Sequence, residues 1–163
     1  MTAELTSTTF WEFSGKLYTR GDVAAHCLAL QDNHGVNVNL LLLVCWCMQH
    51  NVILTLPQLT ELQQAVAEQD KALAAHRTRR RAAHPDQGGN ESDYTALKEQ
   101  ELVLERECQT VLVETIKGLV VSRFEGDALN PTVVAFIHHY QLKSHPEARA
   151  SLSYLMSQLE TTE

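Results

Sequence analysis

Seven side chains able to bind a small molecule lie in the N-terminal quarter of this 163-residue chain. They are Trp11, Tyr18, Gln31, Asp32, His34, Asn37 and Asn39. The five polar ones sit against the most apolar stretch of the sequence, and buried polar groups need hydrogen-bond partners. Small-molecule sites are usually built from apolar walls with a few convergent polar groups. This cluster is therefore the candidate site of the chain.

The polar cluster has two interpretations. In the structural one, Gln31 and Asp32 form hydrogen bonds with backbone groups at a tight turn, Asn37 caps a helix, and Asn39 forms a hydrogen bond across to the first helix. In the functional one, Asp32, His34 and Asn39 line a ligand pocket beside Trp11 and Tyr18. The sequence leaves both interpretations open.

Catalytic and metal-binding motifs are missing from the sequence. Cys45 and Cys47 are two positions apart on a predicted helix, where their side chains point about 200° apart and should not share a metal. Four further residues are of types that bind zinc or another transition metal, but their spacing in the sequence does not require a metal site. They are His26, Asp32, His34 and His50. We therefore predict no catalytic residue, no metal and no cofactor, and we leave enzymatic activity open.

A basic run precedes an acidic segment. The run contains His76, Arg77, Arg79, Arg80 and Arg81, and residues 91–107 hold six acids and two bases. In an antiparallel hairpin these segments meet, with charges that suit both helix dipoles. We predict ion pairs within the chain, for example from Arg79 and Arg80. No aromatic residues interleave with the arginines, and the net charge of -7 disfavours nucleic-acid binding.

Composition indicates a reduced, cytoplasmic helical protein. Only seven Gly and four Pro accompany 44% hydrophobic residues, which favours helices over a turn-rich β architecture. The four cysteines lack zinc-ribbon spacing, and the N-terminus lacks the pattern of a signal peptide. The purely apolar run 40–48 is far shorter than the roughly 20 residues that cross a bilayer, so we predict a central buried helix and no membrane association.

The pattern of apolar residues, caps and breakers predicts an all-α, single-domain bundle of about seven helices. Thr8 or Thr9 should cap the first helix, Gly35 should end the second, and Asn37 should cap the central one. Pro57 should lie in the first turn of a long helix that extends to about residue 84. We divide the domain 1–163 into a core segment 8–56, a long antiparallel hairpin 57–124 and C-terminal helices 130–160.

Details of the hairpin and the C-terminal part follow from the same signals. A second long helix is predicted from about Asp93 to Phe124, joined to the first by a flexible connector at 85–90. Gly126 and Asp127 mark a turn, a cap and proline at 130–131 start the next helix, and Pro146 starts the last.

The N-terminal motifs resemble a known family. They comprise FWEF at 10–13, LY at 17–18, CLALQD at 27–32, GVNVNLLL at 35–42 and Trp46. This pattern is similar to that of a proteobacterial domain-of-unknown-function family of small proteins, with the signature FW-x-F, CLxLQD-x-x-G-x-x-VN-LLL. The resemblance implies a bacterial cytoplasmic protein and brings with it no activity, ligand or catalytic residue.

Two function classes follow. The sequence favours a non-enzymatic interaction or adaptor protein, because the long amphipathic hairpin offers a surface to a protein partner or to a second copy of the chain. The alternative is a module that binds a small or apolar ligand near Trp11, Asp32 and Asn39, either as a binding protein or as an enzyme.

Overall fold

The computed structural model of the protein describes residues 4–126 and 129–159. Within these ranges the chain forms eight α-helices, one short 3₁₀ helix and a two-stranded sheet, which confirms the all-α class. The helices are α1 (Ser7–Tyr18), α2 (Val23–His34), α3 (Val38–Gln49), α4 (Leu56–Ala65), α5 (Ala67–Ala82), α6 (Glu91–Lys117), α7 (Thr132–His139) and α8 (Pro146–Ser157). The strands are β1 (Val52–Ile53) and β2 (Ser122–Arg123).

Helix α3 is the centre of the molecule. Every residue from Asn39 to Cys47 is buried, as expected for a helix that is apolar on all sides. Helices α1, α2, α6, α7 and α8 pack against it, and buried apolar side chains from all eight helices form one cluster. The prediction of a central buried helix is confirmed.

Most predicted helix ends are found in the structure. Gly35 follows α2 in the left-handed conformation, with φ of 66°, and Asn37 caps α3 by accepting a 3.0 Å hydrogen bond from the Leu40 amide. The predicted cap of α1 is wrong. Thr6, not Thr8 or Thr9, is the N-cap, because its side chain and that of Thr9 bond each other's backbone N–H reciprocally.

The first long helix of the hairpin is not continuous. It breaks at the fully buried Val66, whose φ of -99° and ψ of 2° separate α4 from α5. As a result, α4 packs against both α6 and α7, while α5 packs along α6. This break adds an eighth helix to the seven that the sequence predicts.

The connector at 85–90, which the sequence predicts to be flexible, folds as a tight turn. Pro85–Gln87 form a 3₁₀ helix with His84 as its N-cap, and Gly88 is left-handed, with φ of 85°. A Cβ on Gly89 would lie 1.8 Å from the Ala83 carbonyl oxygen, so a side chain cannot be accommodated there.

Helix α6 ends earlier than predicted, at Lys117 instead of Phe124. The chain turns after Gly118 so that β2 can pair antiparallel with β1, with Val52 opposite Arg123 and Ile53 opposite Ser122. The predicted turn after Gly126 falls partly outside the described residues. Helix α8 starts at Pro146 as predicted. Helix α7 begins one residue later than predicted, at Thr132, with Pro131 at the N-cap position, and Asn130 Oδ1 accepts a hydrogen bond from the Thr132 amide. No helix among the described residues is long and apolar enough to cross a membrane.

Candidate ligand pocket

A cavity of about 400 Å³ lies between α1, α2, α3, α5 and α6. Four of the seven predicted site residues line it, namely Trp11, Tyr18, Gln31 and Asn39. They converge because α1 and α2 each turn one face toward α3, whose first turn supplies Asn39. The volume falls within the range of small-molecule sites.

A buried polar network contributes to the wall of the cavity where α1, α3 and α6 meet. The amide nitrogen of Gln109 donates two hydrogen bonds, one to Ser14 Oγ and one to Asn39 Oδ1, each 3.1 Å long. Only 2% of Gln109 is exposed. Its carbonyl oxygen, Oε1, has no hydrogen-bond partner among the described residues. The lining therefore contains a desolvated acceptor, a costly arrangement that buried side chains usually avoid.

Apolar side chains supply another wall. They are Trp11, Leu28, Val38, Leu42 and Leu102. Leu28 is 45% exposed and Leu102 is 54% exposed, so these two leucines are accessible from solvent. A molecule in the cavity can therefore contact both the polar network and apolar carbon.

The charged wall is formed by ion pairs between α5 and α6. Arg77 Nη2 lies 3.3 Å from Glu105 Oε1, Arg77 Nε lies 3.7 Å from Glu101 Oε2, and Arg80 also pairs with Glu101. Burial raises the pKa of Glu105, and the nearby Arg77 partly opposes that shift. The predicted pairing with the acidic segment is thus present for Arg80. Arg79 instead contacts the ring of His76, at 3.4 Å from Nδ1.

Gly15 leaves the cavity lining open on the α1 side. It lies within α1, and a Cβ built on it meets no atom within 4 Å. Because its φ is not positive, the position accepts other residues without backbone strain. Larger side chains at this position would occupy the cavity.

The other three predicted site residues lie outside the cavity. Asp32 has a side chain that is 57% exposed and lies 3.9 Å from an Arg81 nitrogen, so the expectation that it satisfies buried backbone groups is wrong. Neighbouring residues on a helix point about 100° apart, which sends Gln31 to the cavity and Asp32 to solvent. Asn37 caps α3, and its own N–H donates to the Tyr140 hydroxyl.

His34 also faces away from the cavity. Its Nε2 lies 3.3 Å from a Glu147 oxygen of α8. The other residues considered as metal ligands are not gathered there. His26 Nδ1 lies 2.9 Å from Ser151 Oγ, and the ring of His50 packs on that of Trp46.

The four cysteines are free and buried. Burial raises the pKa of Cys27 and that of Cys47 to about 12, so both thiols remain protonated near neutral pH. Cys45 and Cys108 shift in the same direction, for the same principal reason. All four act as small apolar side chains, as the sequence predicts for Cys45 and Cys47.

Sequence reasoning missed two central residues, Gly15 and Gln109. A glycine within an amphipathic helix often indicates a close approach of another group or an open space. The sequence shows this signal at Gly15. Gln109 follows Cys108 directly within the apolar pattern of α6. No spacing rule distinguishes it from an exposed glutamine, because its role depends on the tertiary meeting of three helices.

One family model matches the chain. It is described as "Protein of unknown function (DUF2390)", and it matches residues 9–112, a range that includes α1 to α5 and most of α6. All the residues that line the cavity fall within this range. No curated protein and no solved structure matches the chain.

Proposed function

We propose that this chain, which belongs to the DUF2390 family of proteins of unknown function, binds a small amphiphilic molecule in the cavity between α1, α2, α3, α5 and α6. One observation carries the proposal. Gln109 lines a cavity of about 400 Å³, which is large enough for a ligand, and its Oε1 is a buried acceptor without a partner among the described residues. A ligand that donates a hydrogen bond to this oxygen would remove its desolvation cost.

The lining defines the class of ligand. Five apolar side chains favour a compact hydrocarbon or aromatic body, and Gln109 favours a hydroxyl, amine or amide donor on it. Three arginines and two glutamates line the charged wall, which leaves one net positive charge. We expect a neutral or singly anionic ligand to bind better than a cation.

The experiment uses anilinonaphthalene sulfonate, a fluorescent amphiphilic anion, as the probe. Wild-type protein should bind about one equivalent with saturable fluorescence. Gly15→Leu should lose this binding, because its side chain fills the open position in α1. It should also melt no lower than wild type, since removing a helical glycine stabilises by roughly 0.5–1 kcal/mol.

Gly15→Ala is the matched control. It provides the same gain in helix propensity with little filling of the cavity, so it should bind the probe like wild type. Cooperative thermal unfolding of all three proteins excludes probe binding to a loosened core. The proposal fails if folded wild type does not bind the probe, or if Gly15→Leu binds it as well as Gly15→Ala does.

A second candidate is the adaptor function. The exposed rim residues Leu28 and Leu102 support it, because a helix from a protein partner can insert an apolar side chain between them. Loss of partner binding on Leu28→Ser combined with Leu102→Ser, with partner binding retained by Gly15→Leu, would favour this function. We further propose a bacterial cytoplasmic location without nucleic-acid binding, supported by the free thiols and the ion-paired Arg77 and Arg80.

A further inference from the structure

Three side chains with metal-ligand chemistry meet where the end of α2 contacts the start of α8. His34 is the last residue of α2, His145 precedes α8, and Glu147 lies in its first turn. His34 Nε2 and His145 Nδ1 lie 3.3 Å and 3.6 Å from the same oxygen of Glu147. Each of the three residues offers one ligand atom, and these three atoms all lie within 4.8 Å of one another.

These distances suit a small divalent ion. A tetrahedral Zn²⁺ ion about 2.0 Å from each ligand atom places those atoms about 3.3 Å apart. The two imidazole-to-carboxylate distances, 3.3 and 3.6 Å, are close to this spacing, and the two imidazole nitrogens lie no more than 4.8 Å apart before an ion binds. Two imidazoles and one carboxylate are a ligand set that zinc accepts, with the fourth position open to water.

The backbone around this group is held independently of any ion. His34 is largely buried, with its side chain 11% exposed, and its ring lies 4.8 Å from that of His145. Further along the same pair of helices, His26 bonds Ser151, and the Tyr154 hydroxyl accepts a hydrogen bond from the Asp22 amide. Helices α2 and α8 are therefore already docked, so only side chains have to move when an ion binds.

We propose that His34, His145 and Glu147 bind one Zn²⁺ ion that joins α2 to α8. This site is separate from the ligand cavity and shares none of its lining residues. An ion at this position ties the C-terminal helix to the N-terminal part of the chain. Binding therefore stabilises the folded state, because the unfolded chain does not bring the three ligands together.

The test is calorimetric titration of the chelator-treated full chain with Zn²⁺. Wild type should bind one equivalent, and Co²⁺ in its place should give the visible absorption band of a low-symmetry nitrogen and oxygen site. His145→Ala and Glu147→Gln remove ligands whose side chains are 46% and 64% exposed, so both variants should fold. Removing a residue that only hydrogen-bonds to a metal ligand typically lowers metal affinity by about 10- to 100-fold. These variants remove direct ligands, so each should bind Zn²⁺ at least about tenfold more weakly than wild type.

His138→Ala is the matched control, since it removes an exposed histidine of α7 that lies outside the group. It should bind Zn²⁺ like wild type. Thermal melts give an independent readout: Zn²⁺ should raise the melting temperature of wild type and of His138→Ala, and should raise that of Glu147→Gln by less at the same Zn²⁺ concentration. The proposal is overturned if wild type shows no saturable binding. It is equally overturned if both ligand variants retain wild-type affinity.

Discussion

Asn39 and Asp32 belong to the same polar cluster of the sequence, but one side chain is buried and the other is exposed. Replacing each of them separately by alanine compares the energetic value of these two positions. Asn39 is 6% exposed, and its Oδ1 accepts a 3.1 Å hydrogen bond from Gln109 Nε2. Asn39→Ala removes this acceptor and leaves one N–H of Gln109 unpaired. Asp32 instead projects into solvent near Arg81.

The expected magnitudes follow from these surroundings. A buried donor left unpaired costs about 1–3 kcal/mol. Because Asn39 also lines the cavity, water can reach the freed N–H of Gln109, and we expect Asn39→Ala to lower the free energy of unfolding by about 1–2 kcal/mol. Asp32 lies in the last turn of α2, where a negative charge opposes the helix dipole. Asp32→Ala should therefore change stability by about 0 to 0.5 kcal/mol, in the stabilising direction.

Urea unfolding followed by circular dichroism measures both variants against wild type. For Asn39→Ala we expect a lower midpoint urea concentration and an unchanged slope of the free energy of unfolding against urea concentration. This result would show a loss of stability without a change in the surface exposed on unfolding. The reasoning is refuted if Asp32→Ala destabilises as much as Asn39→Ala, or if Asn39→Ala leaves the midpoint unchanged.

Three further predictions concern other parts of the structure. Tyr140→Phe removes the hydroxyl that accepts the Asn37 N–H, and it should lower the free energy of unfolding by about 1–3 kcal/mol in denaturant titrations. Burial raises the pKa of Glu105 above its ordinary 4.5, because it disfavours the charged carboxylate in the folded state. The contribution of Glu105 to the free energy of unfolding is therefore greatest below about pH 4.5 and is lost as pH rises through the folded pKa. The stability of wild type minus that of Glu105→Gln should accordingly fall from acidic to neutral pH, and a rise would contradict this. Gly89→Ala should lower the melting temperature, because its Cβ would overlap the Ala83 carbonyl, and an unchanged melt would show that the turn adapts.

The parts of the fold that local signals determine could be predicted from the sequence. The left-handed Gly35, the Asn37 cap and the apolar run of α3 all depend on residues within a few positions of each other, and each is present as predicted. The break at Val66 could not be predicted, because no proline or glycine marks it. It depends on how α4 packs against α6 and α7, which are distant in sequence.

The same distinction applies to the candidate site. The sequence predicts Trp11, Tyr18, Gln31 and Asn39 as cavity-lining residues because they are aromatic and amide side chains near an apolar run. Asp32 is close to them in sequence, but helix geometry turns its side chain toward solvent. The contribution of Gln109 arises only when α6 is placed against α1 and α3, about 70 residues beyond Asn39.

Under our proposal, Gln109 combines a structural and a binding role in one amide group. Its nitrogen joins α6 to α1 and α3, and its carbonyl oxygen is buried without a partner among the described residues. A leucine of similar size would remove the unpaired oxygen but would also leave Ser14 and Asn39 without their shared donor. The unpaired oxygen is therefore a consequence of using one amide to connect three helices, and under our proposal a bound donor satisfies it.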